Sequence, residues 1–125
     1  MLDTSVCVQL LRGRATQDRL PTVSECALSV ITVAELEVGI RRSARPDAQR
    51  KAVEALTDLF EVLPWDREST SHYGEIRVDL ETRGLIIGPL DLLIVAHARR
   101  LGATIVTANL REFSRVTGLT CLEWG

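Results

Sequence analysis

Five polar residues that could hold a divalent cation or a reacting water occur in four short segments that lie far apart in the sequence. Each segment contains an apolar run or a tight turn, then a polar cluster, then a stretch of helical character. The five residues are Asp3, Glu35, Asp91, Asn109 and Glu112. In an open α/β sheet, ligands bind at the carboxyl ends of the strands, where the helices begin. We therefore predict that these side chains meet at one end of the domain.

Each of these residues also has a simpler local interpretation as a helix cap. Thr32 and Glu35 have the spacing of a capping box, and so do Asn109 and Glu112. Asp3 could cap the helix that follows it, and acids in general are favoured in a first helical turn by the helix dipole. Taken singly, each acid fits a structural role better than a catalytic one.

The sequence neighbours of Glu35 and Asp91 favour a functional role. Ordinary surface acids such as Glu37 have a basic residue one helical turn away, in that case Arg41. The residues one turn from Glu35 and Asp91 are apolar, small or neutral, and none of them is basic. A carboxylate in apolar surroundings is costly unless something compensates its charge, and a divalent cation would do so.

The donor types indicate which cation this would be. Carboxylate and amide oxygens suit Mg²⁺ or Mn²⁺ better than zinc, and the sequence contains no set of paired thiolates and imidazoles. Such an ion can activate a water molecule and stabilise negative charge on a phosphate oxygen. The pattern therefore suggests, without establishing it, the hydrolysis of a phosphodiester bond.

The elements that must position these residues alternate between short apolar runs and longer helical segments. This alternation predicts an α/β domain with a mostly parallel sheet, and we expect one domain over residues 1–125. The predicted strands are 1–3, 27–31, 61–63, 103–106 and 120–122. The predicted helices are 33–42, 46–60, 68–83 and 89–101. The last helix is apolar almost all round, so we expect it to be buried.

Composition narrows the possible classes of protein. The 125 residues are 46% hydrophobic and 26% charged, as in an ordinary globular domain with a single core. No apolar run approaches the roughly 18 residues that span a bilayer, and no signal peptide is recognisable, so we expect a cytoplasmic protein with no membrane association.

Three widely spaced cysteines argue against a disulfide framework or a zinc site, and we interpret them as small core residues.

The net charge of −2 does not by itself indicate nucleic-acid binding, but the distribution of basic residues is uneven. Lys51 is the only lysine among fifteen basic residues, and Arg41, Arg42 and Arg45 lie close together in a predicted helical hairpin over 33–60. Arginine suits bidentate contacts with phosphate groups. A solvated helix surface is the alternative interpretation of this cluster.

Taken together, the four segments resemble the PIN-domain family, and specifically its VapC-type toxins. The order and the spacing of the motifs both agree, and the resemblance covers essentially the whole chain. The matching motifs are LDT at 2–4, SVITVAEL at 29–36 followed by Gly39, IGPLD at 87–91 with IVAHA at 94–98, and VTANLREF at 106–113.

The resemblance implies a PIN-like three-layer fold, in which a central parallel sheet of about four or five strands carries helices on both faces. It also implies an Mg²⁺-dependent endoribonuclease in which Mn²⁺ can substitute. In the family the first and third acids, here Asp3 and Asp91, contact the metal, and the second acid, here Glu35, holds metal or water. Asn109 occupies the fourth acidic position, and Glu112 is expected to supply the missing carboxylate. This departure leaves open whether one or two ions bind.

Three hydroxyl residues are expected to support the acids. Ser5 stands where the family usually has asparagine, and both Ser5 and Thr4 could hydrogen-bond to Asp3. Thr107 could help to hold the attacking water. His97 lies on a different face of its helix from the acid of that helix, so we interpret it as a packed core histidine rather than a catalytic base.

The resemblance further implies partners. The substrate is expected to be a structured RNA such as tRNA. A homodimer and a VapB-type antitoxin are expected, with the hairpin over 33–60 as the clamp for the antitoxin and its arginines as contacts to antitoxin or RNA. A phosphoryl-accepting receiver domain is disfavoured, because the only lysine lies inside a predicted helix. Two alternatives stay open, namely a PIN-fold binding module that has lost catalysis and an RNA-processing nuclease that is not a toxin.

Overall fold

The computed structural model describes residues 1–14 and 21–124, which form an α/β fold. The strands in these ranges are β1 (Ala27–Ser29), β2 (Glu61–Leu63), β3 (Ile105–Thr107) and β4 (Cys121–Glu123). The α-helices are α1 (Thr4–Leu11), α2 (Val30–Arg42), α3 (Pro46–Thr57), α4 (Ser69–Thr82), α5 (Pro89–Leu101) and α6 (Leu110–Phe113). A single 3₁₀ turn, Val23–Glu25, precedes β1.

The strands form two parallel pairs that are joined by the start of the chain. Strand β1 pairs with β2 and β3 pairs with β4, while Leu2 makes parallel bridges to both Leu28 and Val106. The amide of Leu2 donates to the carbonyl of Ala27, and the amide of Asp3 donates to the carbonyl of Val106. The expected single sheet of four or five strands is therefore not confirmed. The first segment contributes only one bridging residue, because α1 begins at Thr4.

Helices cover both faces of this arrangement, as predicted. Side chains from α4 and α5 form one core with Ile105, and side chains from α1, α2 and α3 form another with Val106. Met1 and Leu2 are divided between the two cores in the same way. Successive side chains of an extended segment point to opposite faces, so the neighbouring residues Ile105 and Val106 of β3 lie in different cores.

Helices α1 and α6 are absent from the predicted helices, and a further difference lies at the start of α2. A strand was expected over 27–31, but the strand ends at Ser29 and the helix begins at Val30. Ser29 is the cause, since its Oγ accepts a hydrogen bond of 3.1 Å from the amide of Ile31 and so caps the helix. The β-branched run that follows suggested a strand, but this cap and the burial of one helix face prevail.

Helix α5 has the predicted bounds and the predicted burial. Pro89 occupies its first turn and Gly102, with φ of 65°, closes it in the left-handed conformation. His97 on this helix is 1% exposed, and its Nδ1 lies 2.8 Å from Ser29 Oγ, so it is a packed core histidine.

The three cysteines are free thiols, and Cys7 and Cys26 are buried as predicted, whereas Cys121 is only partly buried. Burial, with the nearby Asp3 charge as a smaller cause, raises the pKa of the Cys7 thiol to about 12, so this side chain is an inert core group. Within residues 1–14 and 21–124, no helix is both long and apolar enough to cross a membrane.

Candidate active site

Asp3 is fixed in one orientation where the bridging segment enters α1. Its Oδ1 accepts hydrogen bonds from the amide of Val6 at 3.0 Å and from Ser5 Oγ at 2.6 Å. Its Oδ2 accepts from Thr107 Oγ1 at 2.5 Å, and the residue is 2% exposed. The capping interpretation of Asp3 is therefore correct. The cap also holds a buried carboxylate at the end of the strands, where the predicted site lies.

Ser5 and Thr107 attach the loop after β3 to the start of α1. Ser5 donates to Asp3, as the sequence suggested, and its Oγ accepts from the amide of Ala108 at 3.2 Å. Thr107 Oγ1 accepts from the amide of Asn109 at 2.9 Å and uses its own proton for Asp3. Thr107 thus bonds directly to the Asp3 carboxylate, and its expected role in holding a water stays a prediction.

Glu35 lies on α2 and is bound by Thr4 rather than by a capping box. Thr4 Oγ1 lies 2.8 Å from Glu35 Oε1 and donates to it. The predicted capping box of Thr32 and Glu35 is wrong, because α2 begins at Val30 and Ser29 is its cap. The expected bond from Thr4 to Asp3 is also not formed, since the Thr4 side chain is directed at α2.

Asp91 shows that the acids lie close together. It occupies the first turn of α5 and makes no capping bond. Burial, and then the charges of Glu112, Glu35 and Asp3 in that order, raise the pKa of Asp91 from 3.8 to about 6. Desolvation and like charges both disfavour an ionised carboxylate. The charges of Glu112, Glu35 and Asp3 therefore all act on Asp91, and the role of these four residues as one site stays a prediction.

Glu112 joins the site by a route that differs from the predicted capping box. Its Oε2 accepts from Asn109 Nδ2 at 2.6 Å, and its Oε1 accepts from the amide of Gly88 at 3.1 Å. A capping box would require Glu112 to accept from the backbone amide of Asn109, but that amide donates to Thr107. Asn109 therefore orients Glu112, and the role of Glu112 as the fourth carboxylate stays a prediction.

No basic group neutralises these acids among the described residues. The ion pairs within residues 1–14 and 21–124 involve other acids, such as Glu37 and Asp79. Over the same ranges, no three acidic, histidine or cysteine side chains are close enough to form a ready metal cage. The donor set nevertheless fits Mg²⁺, which typically takes one or two carboxylates and completes its shell with water. A cation would also relieve the repulsion that raises the pKa of Asp91.

A groove of about 430 Å³ opens beside Glu35 and Thr4, between α1, α2 and the start of α3. Its lining includes two arginines, Arg12 and Arg42. Another cavity, of about 310 Å³, lies between α4 and the start of α5 and contains none of the five predicted residues. The groove therefore brings one of the acids, Glu35, together with two arginines of the kind that contact a phosphate backbone.

The three arginines predicted as contacts differ in their surroundings. Arg42 lines the groove, whereas Arg41 donates from Nε to Glu37 Oε1 at 3.0 Å and is 74% exposed. Arg45 is exposed just before α3. Only Arg42 of the three is thus placed beside Glu35, and Arg12 joins it.

Sequence reasoning missed Gly88 and Arg12 as members of this site. The amide of Gly88 leaves no trace in a residue pattern, although a glycine just before a helix-starting proline is a signal worth testing. Arg12 follows directly after α1 and reaches the groove because α1 packs against α2. This contact between helices cannot be inferred from the spacing of residues along the sequence.

The sequence profile of the PIN domain matches residues 1–119. The chain belongs to the PIN-domain family. Ribonuclease VapC2 of Rickettsia felis is 34% identical over 129 residues, which cover 99% of this chain and 96% of that protein. The tRNA(fMet)-specific endonuclease VapC of Salmonella typhimurium is 36% identical over 128 residues, with the same coverage.

Solved structures of PIN-domain proteins agree with this assignment. The crystal structure of VapBC2 from Rickettsia felis bound to a promoter DNA fragment has a TM-score of 0.94 and 33% identity, covering 100% of this chain and 98% of that chain. DNA-bound VapBC from Salmonella typhimurium also has a TM-score of 0.94, with 34% identity, and covers 100% of this chain and 97% of that one. The predicted membership among VapC-type PIN ribonucleases is confirmed.

Proposed function

We propose that this PIN-domain ribonuclease is an Mg²⁺-dependent endoribonuclease toxin that acts on tRNA and is neutralised by a VapB-type antitoxin. The observation that carries the metal site is the set of hydrogen bonds that fix the buried Asp3 carboxylate and hold Glu112 at the start of α5. Burial and three neighbouring carboxylates, which raise the pKa of Asp91 to about 6, support it. The ion pairs of the described residues leave this charge uncompensated. An array of this kind is suited to binding a divalent cation and unsuited to binding an RNA phosphate without one.

Each polar residue of the site has a role in this proposal. Asp3 and Asp91 would hold the ion, and Glu35 and Glu112 would hold the ion or orient the attacking water. When bound, the ion would supply Lewis-acid stabilisation of the phosphate charge and lower the pKa of a water. Thr107 keeps the Asp3 carboxylate in place through its hydrogen bond. Thr4, Ser5 and Asn109 act in the same way on Glu35, Asp3 and Glu112.

The substrate and the partners follow from the relatives. A relative at 36% identity is named a tRNA(fMet)-specific endonuclease, which supports tRNA as the substrate of this chain. Structures of VapBC complexes support a VapB-type antitoxin, for which the hairpin of α2 and α3 is the expected contact surface. The groove with Arg12 and Arg42 would hold the RNA backbone. A homodimer stays a prediction.

Site-directed variants test the proposal. Asp91→Asn and Asp3→Asn should each lower cleavage of tRNA in Mg²⁺ by about a hundredfold or more, since each removes a carboxylate needed to hold the ion. Asp79→Asn is the matched control, because Asp79 is a surface acid paired with Arg83. Full activity of both site variants, with folding verified by circular dichroism, would refute the proposal.

The principal alternative is a PIN-fold binding module without catalysis. It was suggested by Asn109 at the fourth acidic position. The bond from Asn109 to Glu112 argues against it, because Glu112 brings a carboxylate to the site. Calorimetric titration with Mn²⁺ separates the two functions, since a protein that binds no Mn²⁺ and cleaves no RNA would favour the binding module.

A further inference from the structure

Gly88, the residue that precedes α5, contacts two of the four acids. Its amide donates a hydrogen bond of 3.1 Å to Glu112 Oε1. A Cβ atom placed on Gly88 would lie 3.2 Å from Asp91 Oδ2 and 3.8 Å from Asp91 Cγ. The shorter distance is below ordinary van der Waals contact. The space that a side chain would need is therefore taken by the Asp91 carboxylate.

Backbone conformation does not explain this glycine. Gly88 has φ of −57° and ψ of 147°, which any residue adopts. The other described glycines without a positive φ are Gly39 and Gly74, and neither would place a Cβ within 4 Å of a neighbouring atom. Gly88 thus differs from both by its closeness to an acid of the site.

We infer that Gly88 is a positioning residue, whose amide orients Glu112 and whose missing side chain leaves room for the Asp91 carboxylate. This inference rests on the proposed function, because it assigns Gly88 a role in the same acid cluster. A methyl group at this position would force the Asp91 carboxylate to move by a few tenths of an ångström. The end of an aspartate side chain moves easily, so the fold should survive while the geometry of the site changes.

The test compares Gly88→Ala with the matched control Gly74→Ala. In Gly88→Ala we expect kcat for RNA cleavage to fall about tenfold to a hundredfold, with KM within about twofold of wild type. We expect Mn²⁺ affinity, measured by calorimetry, to weaken about tenfold. Gly74→Ala should leave kcat, KM and Mn²⁺ affinity unchanged. If Gly88 had only a structural role, Gly88→Ala would lower the melting temperature without the selective fall in kcat at nearly unchanged KM. That result would contradict the inference.

A double-mutant cycle gives a readout that needs neither metal nor RNA. Alanine at position 88 should lower the melting temperature of the metal-free protein more in the wild type than in Asp91→Ala, where no carboxylate is displaced. The effect of alanine on helix capping is the same in both backgrounds and cancels. Equal shifts in the two backgrounds would overturn the inference.

The two proposals fail in different ways. If the wild type neither cleaves RNA nor binds Mn²⁺, the proposed function is wrong and the cycle still tests Gly88. If the wild type is active and Gly88→Ala keeps its kcat and Mn²⁺ affinity, the proposed function stands and the role of Gly88 is refuted.

Discussion

The raised pKa of Asp91 has a measurable consequence for stability. Because the pKa rises from 3.8 to about 6, the folded chain holds this proton more tightly than the unfolded chain does. The stability from this group is therefore fully present below about pH 4 and is lost as the pH rises through about 6. Well above pH 6, the ionised carboxylate destabilises the metal-free protein.

Asp91→Asn should consequently stabilise the metal-free protein well above pH 6, while lowering activity. The expected gain in the free energy of unfolding is about 1 to 2 kcal/mol after allowance for solvent screening. It should shrink as the pH falls below 6 and vanish near pH 4. Urea unfolding in EDTA at several pH values measures it. A gain that is independent of pH would contradict the assigned cause.

The hydroxyl of Thr107 stabilises the orientation of a buried carboxylate. Thr107→Val keeps the shape but removes the bond to Asp3 Oδ2 and the acceptor for the amide of Asn109. We expect a loss of about 1 to 3 kcal/mol in the free energy of unfolding and a lower kcat. Thr82→Val is the control, because the exposed Thr82 bonds only to a carbonyl of its own helix. Equal effects of the two substitutions would contradict this role of Thr107.

At this scale, residue types and spacing indicated the acids and the bond from Ser5 to Asp3, but not the partners of Glu35 and Glu112. The lack of nearby bases marked Glu35 and Asp91, and both belong to the cluster. The bond from Thr4 to Glu35 joins two helices and could not be inferred from local spacing, which suggested Asp3 as the partner. The donation from Gly88 to Glu112 comes from the backbone and has no signature in the sequence.

The arginines of the hairpin formed by α2 and α3 differ in their access to the groove, since Arg42 lines it and Arg41 is paired with Glu37. Arg42→Ala should weaken RNA binding and make the dependence of log affinity on log salt less steep by about one unit, because one phosphate contact is lost. Arg41→Ala should have a smaller effect, since Glu37 already engages the Arg41 guanidinium. Binding of tRNA in EDTA at several salt concentrations compares the two. A larger effect for Arg41 would place the RNA outside the groove.

Element boundaries could be predicted where a residue type fixes the backbone. Pro89 and Gly102 defined α5 at both ends, and the predicted range is the observed one. The boundary between β1 and α2 could not be predicted, because the β-branched residues that follow it, from Val30 onward, favour a strand until the Ser29 cap is known. The first strand was predicted to be too long for a similar reason. Asp3 caps α1, so the helix begins at Thr4 and only Leu2 makes strand bridges.

The whole molecule depends on Leu2, which bridges the two strand pairs and is completely buried. Leu2→Ala should lower the free energy of unfolding by about 2 to 5 kcal/mol, because a cavity would open in the core that the Leu2 side chain shares with α1, α2 and α3. Ile86→Ala is the control, since Ile86 is 80% exposed and should change stability by less than about 0.5 kcal/mol. Urea unfolding measures both. A small effect of Leu2→Ala would contradict the importance assigned to this side chain in the core.

The bond between Asp3 and Thr107 joins positions 104 residues apart, and this has a consequence for the timing of synthesis. The first acid leaves the ribosome long before its buried partner exists. Fragments that end before β3 also lack Glu112, so they cannot assemble the carboxylate array. The proposed function therefore predicts that such truncated chains, including those made from a broken messenger, do not cleave RNA.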